Sequence, residues 1–314
     1  MSASRGSLAA AEVEVPGGLA SRLACSCTLE MDGHQWAGKN VTAAHDVLAG
    51  PGSGHVISGI AGLLGRASVG APGWTVLRLP ADLSDQQLRR AAAGMLAAVG
   101  RPFFSIDEGG GLWSGAESTP ARDAASFGGT GRQGLHIDAP NVERIPDFTS
   151  LLVLRADPAG GGQSLIGDLH AALAQLSPAD RAELSEPAYF EGRAERLRGT
   201  GAPRMPFPVT DFAGAGRPWI RWAAKMLDDP RNSSRTGVLR RFAAALDEHT
   251  LALTPGRGAL LILDQQRAAH GRTALGDQAR LADGTRRLII QAKAAYDVAA
   301  PAQVLAQDSG DGHE

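Results

Sequence analysis

The sequence predicts a mixed, β-rich fold, a sheet core with helices inserted into it and flanking it, rather than a doubly wound parallel sheet. Short apolar runs recur along the chain, at residues 74–79, 148–155, 163–167, 258–263 and 287–293. Helical patterns fall between them irregularly instead of one per strand. No repeat with a period of 20–50 residues is present, which excludes solenoids and propellers. The 314 residues are 43% hydrophobic and 20% charged, enough to bury a sizeable core. At about 150 residues per domain the length allows two, yet no composition shift marks a boundary. We therefore read residues 1–314 as one domain, with residues 1–70 an irregular N-terminal extension and residues 301–314 a loose tail.

The elements follow in order. Gly50-Pro51-Gly52-Ser53-Gly54 and Gly70-Ala71-Pro72-Gly73 read as loops. Residues 74–79 form a short strand that Pro80 ends. Ser84 stands at an N-cap position with Gln87 three residues on, a capping box opening a helix to about Val99. Its apolar positions Leu88, Ala92, Met95, Leu96 and Val99 share one face. Residues 109–134 are rich in Gly, Ser and Ala without periodicity, a length of loop that in a compact domain reads as a mobile lid. Strand 148–155 is closed by Asp157-Pro158-Ala159-Gly160-Gly161-Gly162, and a second strand begins at Gln163. Ser177-Pro178 is an N-cap followed by proline at the first helical position. Residues 238–249 form an amphipathic helix with Leu239, Phe242, Ala243 and Leu246 on one face. Strands 258–263 and 287–293 close the pattern.

Several function classes drop out. A formal net charge of −2 argues against a nucleic-acid binder held by general electrostatics. No run of 18 apolar residues exists, so no membrane partner is expected. The first eight residues lack the apolar core of a secretory signal. Cys25 and Cys27, the only two cysteines, are too few and too close for a disulfide framework. A reducing, cytoplasmic setting fits them. Homo-oligomerisation stays open.

The chemistry-bearing residues lie in the second half. In Leu135-His136-Ile137-Asp138 an imidazole and a carboxylate stand at i and i+2, which on a strand places both on one face. Such a pair can fill two adjacent positions of an octahedral metal. His270, beyond the strand at 258–263, supplies a third ligand. Two histidines and one carboxylate form the facial triad of non-haem Fe(II) oxygenases and leave three coordination positions open.

Four segments together resemble the Fe(II)/2-oxoglutarate-dependent dioxygenases of the taurine dioxygenase and clavaminate synthase-like group. Gly134-Leu135-His136-x-Asp138 is similar to the proximal ligand pair, and His270-Gly271-Arg272 to the distal ligand. Gly160-Gly161-Gly162-Gln163-Ser164 is similar to the segment whose hydroxyl touches the 2-oxoglutarate carboxylate. Asp283-Gly284-Thr285-Arg286-Arg287 is similar to the segment whose arginine clamps the far carboxylate. The resemblance implies a double-stranded β-helix (jelly-roll, cupin-like) core. It also implies Fe(II) on His136, Asp138 and His270, with 2-oxoglutarate on Arg287 and Ser164 and O2 as second co-substrate. The far carboxylate of a chelating dicarboxylate needs a fixed cation, and a guanidinium offers a bidentate fork.

The resemblance has departures. The stretch from His270 to the clamp is about three residues longer than is usual in the group, so Arg286 and Arg287 compete for the role, and the Asp-Gly-Thr-x-Arg register selects Arg287. Gln265 stands where Asn is frequent. Gln291 occupies the place of an arginine that in amino-acid hydroxylases of the group binds the substrate carboxylate. Ala223, in Arg221-Trp222-Ala223, replaces an aspartate that binds the substrate's basic end. These losses point away from a free basic amino acid and toward a modified or conjugated one in a neutral pocket, lined by Trp113, Trp219 or Trp222. The resemblance thus implies an oxygenase that hydroxylates, desaturates or cyclises an amino-acid-derived natural-product intermediate, with a small-molecule substrate and release of succinate. The alternatives are a taurine-type dioxygenase of a small sulfonate or related acid, and a non-catalytic cupin-like metal-binding protein.

Overall fold

The computed structural model describes residues 11–27, 33–67 (33–40 by backbone alone), 70–103, 111–115, 117–192, 205–211 and 219–308. The chain opens with β1 (Glu12–Glu14), α1 (Gly17–Ser26), α2 (Gly33–Leu48), α3 (Gly54–Leu64), β2 (Trp74–Arg78), α4 (Asp85–Ala97) and β3 (Gly100–Pro102). Then come β4 (Gln133–His136), β5 (Phe148–Arg155), β6 (Ser164–Asp168), α5 (Leu169–Gln175), α6 (Pro178–Leu184), β7 (Thr210–Asp211) and β8 (Trp219–Ile220). Last are α7 (Thr236–Glu248), β9 (Thr250–Leu253), β10 (Ala259–Asp264), β11 (Ala268–Arg272), β12 (Leu288–Tyr296) and α8 (Pro301–Asp308).

Two sheets carry the fold. One has six strands in the order β1-β2-β10-β5-β12-β3, the other four in the order β4-β11-β6-β9. They pack face to face, because one buried cluster draws Val76, Leu151, Val153, Leu261 and Ile289 from the larger sheet and Ile166, Leu253 and Ala268 from the smaller. The alternating residues Leu152, Leu154, Leu260, Ile262, Ile290 and Ala292 leave the larger sheet on its outer side, against α1, α3, α4 and α8. Leu135, Ile137, Leu165 and Ala269 leave the smaller sheet outward, against α5, α7 and Trp222. The period-2 alternation of each strand therefore assigns its residues to a helix-covered face or to the space between the sheets.

Local signals explain the best-predicted elements. The Ser84–Gln87 capping box is formed in both directions, and α4 buries Leu88, Met95 and Leu96. Each such side chain contributes about 1.5–3 kcal/mol by leaving water. The Ser177 hydroxyl accepts from the Asp180 N–H, with Pro178 at the first helical position.

The N-terminal expectation is corrected. Residues 1–70 are not an irregular extension: α1, α2, α3 and β1 lie there. Leu19, Leu23, Val56, Ile57, Ile60 and Leu64 are buried in the main core. The tail is corrected too. Pro301–Asp308 is helical and buries Ala302 and Ala306 in the same core, while residues 309–314 lie outside the described residues. Glycines weaken the local propensity of these helices, and packing of α1 and α2 on α4, and of α3 on β2 and α8, compensates.

The lid expectation is partly revised. The described part of residues 109–134 is tied down by bridges from Ser114 to Gln291 and from Glu117 to Leu288, both on β12. The Thr119 N–H donates to Gly128 O and the Gly131 N–H to Ala124 O. Residues 104–110 and 116 lie outside the described residues. No helix among the described residues is long and apolar enough to cross a membrane.

Candidate active site

His136 ends β4 and is the direct cross-strand partner of His270 in β11. Opposite residues in an antiparallel pair share a face, and the two rings lie with centroids 4.3 Å apart. His270 therefore belongs to a strand of its own. The turn between β10 and β11 is held by the buried Asp264 carboxylate, which accepts from Arg66, from Arg267 and from the Gln266 N–H. Asp138 follows β4 by two residues, and the chain then turns sharply through Ala139, whose φ of 52° is left-handed, a region that residues with a Cβ seldom occupy.

The ligand atoms of His136, Asp138 and His270 lie within 4.8 Å of one another. Asp138 Oδ1 is 3.9 Å from His136 Nε2 and 3.8 Å from His270 Nε2. His136 Nδ1 is 2.8 Å from Gly134 O, and a proton on Nδ1 donated there leaves the Nε2 lone pair facing the cluster. His270 Nδ1 is buried without a partner. Burial, then the neighbouring His136, lowers the His270 pKa to about 3, so this ring is neutral and able to ligate. Burial alone would raise Asp138, but Lys293, His270 and His136, with the Thr149 hydroxyl, hold it well below the usual carboxylate range.

The carboxylate is oriented from several sides. Gln265 Oε1 accepts from the Asp138 N–H at 2.5 Å, and Gln265 Nε2 donates to Pro146 O at 2.7 Å. Gln291 Nε2 donates to Asp138 Oδ2 at 3.0 Å and to Thr149 Oγ1 at 3.2 Å. Lys293 is buried two residues beyond Gln291 on the same face of β12.

A second charged group lies beside Arg272, which stands two residues beyond His270 on β11. Arg287 is buried, makes no ion pair among the described residues, and is lowered to about 9 by burial and by the Arg272 guanidinium. Arg286 is engaged instead at the surface, with Asp283 at 2.8 Å and Gln278 O at 3.3 Å. The two candidates are thus placed differently: Arg286 has an ion pair at the surface, and Arg287, acted on by Asp157 without pairing to it, has none among the described residues. Ser164 on β6 is buried and pairs across the ladder with Arg272. Gly160, Gly161 and Gly162 all have positive φ, and a Cβ at Gly162 would lie 3.4 Å from Arg287 Nε. Arg272 donates to Gly131 O at 2.5 Å.

The cluster opens into a cavity of about 710 Å³ lined by His136, Asp138, Gln291, Phe127 and the segment 223–225 among others. The neutral, tryptophan-lined pocket expected above is not found. Trp222 stacks edge-on to Phe242 inside the core, Trp219 packs with it, and Trp113 packs on the outer helices. The cavity wall instead carries Asp123, Arg132, Glu191, Lys225 and Asp228. Glu191 is buried and ion-paired to Lys225. Asn141 donates to the Glu191 and Gly192 carbonyls at 2.9 and 3.1 Å, and its Oδ1 is buried without a partner. Ala223, at the position of the absent aspartate, pairs with His136. Arg221 turns away to bind Asp211 and the Pro140 and Val142 carbonyls, and so braces the loop that bears Asn141. No local pattern marks Asn141, Glu191 or Lys293, since none sits in a motif.

Comparison with known proteins places this geometry. No curated protein matches the sequence. Among solved structures, the chain is similar to asparagine oxygenase in complex with Fe(II), 2S,3S-3-hydroxyasparagine and succinate, at 23% identity over 91% of this chain and 93% of that one, with a TM-score of 0.70. It is also similar to the non-heme iron oxygenase OrfP in complex with Fe and alpha-ketoglutaric acid, at 20% identity over 91% and 94%, with a TM-score of 0.66. A further OrfP complex, of a D157A mutant with (3S)-hydroxy-L-Arg, matches at 19% identity over 91% and 94%, with a TM-score of 0.65. These likenesses establish a shared mixed sheet-and-helix fold. The family described as taurine catabolism dioxygenase TauD, TfdA matches residues 71–290, the span that contains every residue of the cluster and its flanking arginines, and the chain belongs to that dioxygenase family.

Proposed function

We propose that the protein is an Fe(II)/2-oxoglutarate-dependent oxygenase that oxidises an unactivated C–H bond, most simply by hydroxylation, of an amino-acid-derived small molecule. The observation that carries this reading is the two-histidine, one-carboxylate cluster, joined by Arg287, a buried guanidinium that makes no ion pair among the described residues and lies beside Arg272 of the strand that bears His270. The donor set fits Fe(II): two imidazoles and one carboxylate satisfy its preference and leave positions free for a chelating 2-oxo acid and O2. When bound, the metal with 2-oxoglutarate and O2 supplies the oxidising power for C–H cleavage, and 2-oxoglutarate leaves as succinate and CO2.

The chain's own residues supply position and environment. His136, Asp138 and His270 hold the metal. Arg287 receives the far carboxylate of 2-oxoglutarate as a bidentate fork, and the Ser164 hydroxyl adds a neutral donor. The substrate lies in the cavity, where the Glu191 carboxylate and the Asn141 carbonyl oxygen accept N–H donors. Those acceptors favour a substrate bearing an amine or amide over a small sulfonate. The hydroxylated amino acids held by the asparagine oxygenase and OrfP structures agree with that choice. A non-catalytic metal-binding role leaves the burial of Arg287 unexplained.

The finer architecture belongs to the same proposal. The two facing sheets support a double-stranded β-helix core, and the shared burial of N-terminal helices, β12 and α8 supports one catalytic domain. Free Cys25 and Cys27 suit a cytoplasmic setting. The test is succinate formation with Fe(II), 2-oxoglutarate and a panel of amino-acid derivatives, with products read by mass for gain of 16 or loss of 2 units. Absence of 2-oxoglutarate binding by the iron-loaded protein refutes the reading.

A further inference from the structure

We infer that Gln291 is a positioning residue that restricts Asp138 to a single metal-facing oxygen. The inference rests on the metal site proposed above and goes beyond its ligand set. The two oxygens of Asp138 have separate tasks. Oδ1 faces His136 Nε2 and His270 Nε2 at 3.9 and 3.8 Å. Oδ2 accepts from Gln291 Nε2 at 3.0 Å. The same amide nitrogen donates to Thr149 Oγ1 at 3.2 Å, so both of its hydrogens have partners and the side chain has one orientation. Gln291 is 6% exposed and Thr149 fully buried, and the Gln291 backbone is tied on both sides, to Leu151 in β5 and to Ser114. Gln265 fixes the Asp138 backbone from the opposite direction.

The consequence concerns coordination number. A carboxylate free to rotate can bind a metal through both oxygens and take one further position. An octahedral ion with three protein donors has three positions left, two for a chelating 2-oxo acid and one for O2. A second Asp138 oxygen would remove one of them. Gln291 competes for that oxygen with a directed hydrogen bond inside a buried site, where carboxylate partners of this kind tune a metal centre strongly.

Gln291→Met keeps the length and burial of the side chain and removes the donor. The experiment uses the full chain with Co(II) as the probe metal, read by its visible spectrum. It also uses anaerobic Fe(II) protein titrated with 2-oxoglutarate and read by the resulting absorption. The expected result is an altered Co(II) spectrum together with a 2-oxoglutarate Kd raised about tenfold or more. Gln291→Glu should behave likewise, since it is isosteric but places an acceptor beside Oδ2. If both variants keep the wild-type Co(II) spectrum and 2-oxoglutarate affinity, with or without a lower Tm, Gln291 is only structural and the inference is overturned. Should both fail to fold, Gln291→Asn, which keeps the amide but withdraws it from Oδ2, decides: a changed Co(II) spectrum supports the inference and an unchanged one overturns it. Wild-type protein that binds neither Co(II) nor 2-oxoglutarate overturns the metal site itself. Wild-type binding matched by both variants overturns only the role of Gln291.

Discussion

His136 and His270 are direct partners across the β4–β11 ladder, and both of their Nε2 atoms face the same oxygen of Asp138. The candidate metal site is thus built on paired strands, and the direction of its two imidazoles follows from ladder register.

Replacing one of the ladder partners should empty the site. His270→Ala is expected to lower Fe(II) affinity by more than the roughly 10–100-fold that loss of a supporting partner costs, and to abolish succinate formation. The check is calorimetric titration with Fe(II) under anaerobic conditions beside a succinate assay. Full turnover by the variant would remove His270 from the ligand set.

Arg287 predicts two opposite effects of one substitution. Arg287→Met should raise the KM for 2-oxoglutarate at least tenfold, since a charge-assisted bidentate contact contributes about 1.5–3 kcal/mol. Arg286→Met should leave it unchanged. Without 2-oxoglutarate the Arg287 variant should be the more stable protein, because it no longer buries an unpaired cation beside Arg272. Each kcal/mol of relief appears as about 2–4 °C in Tm. The pH sign follows from the lowered pKa of about 9. The charged form that holds the carboxylate prevails below that value, so 2-oxoglutarate affinity should decline as pH rises through it. A lower Tm for ligand-free Arg287→Met would contradict the account.

Asp264 predicts a stability effect. Its carboxylate is 1% exposed and pairs with Arg66 at 3.1 Å and Arg267 at 3.0 Å. Asp264→Ala takes the carboxylate from buried Arg267 and leaves Arg66 only Asp147, and should cost about 3–5 kcal/mol, the penalty for breaking a buried ion pair on one side. Urea unfolding measures it. A loss under 1 kcal/mol would mean that the Arg66–Asp147 pair, at 2.8 Å, takes over the charge.

Arg272 predicts a coupling between the arginine pair and the cavity wall. Its guanidinium donates to Gly131 O and, at 3.5 Å, to Phe127 O. Arg272→Met should speed hydrogen exchange across residues 127–131 by tenfold or more, while the Ser118 amide, bonded to Arg287 O, stays protected. Unaltered exchange in that stretch would show that the segment is held by its own turns.

What could be read from the sequence was whatever depended on near neighbours in the chain. The strand Phe148–Arg155 and the Ser84 and Ser177 caps are local patterns, and the structure reproduces them. His136 and Asp138 were legible because period two puts i and i+2 on one face. The helix Gly54–Leu64 was not: its glycines mask a face that acquires meaning only against β2 and α8. The tryptophans show another limit, since apolarity does not tell which side of a sheet a residue will cover. Gln291 was noticed in the sequence only as a missing arginine. Its contact with Asp138 spans 153 positions, and no local pattern encodes it. Asn141 and Glu191 likewise meet across 50 positions.

The β12 strand sets limits on how this chain can change in length. Arg287, Gln291 and Lys293 are all odd-numbered and lie on or just before one extended strand, so they address the interior in phase. Deleting or inserting a single residue between 287 and 293 would turn part of that set toward the helices and bring Ile290 or Ala292 inward. Residues 273–278 are bound to Asp157, Gly160 and Thr130, whereas residues 279–285 run through a largely exposed turn, and added length there leaves the phase untouched. Redesign of the protein should accordingly place added length in the 279–285 turn and treat residues 287–293 as a unit of fixed length.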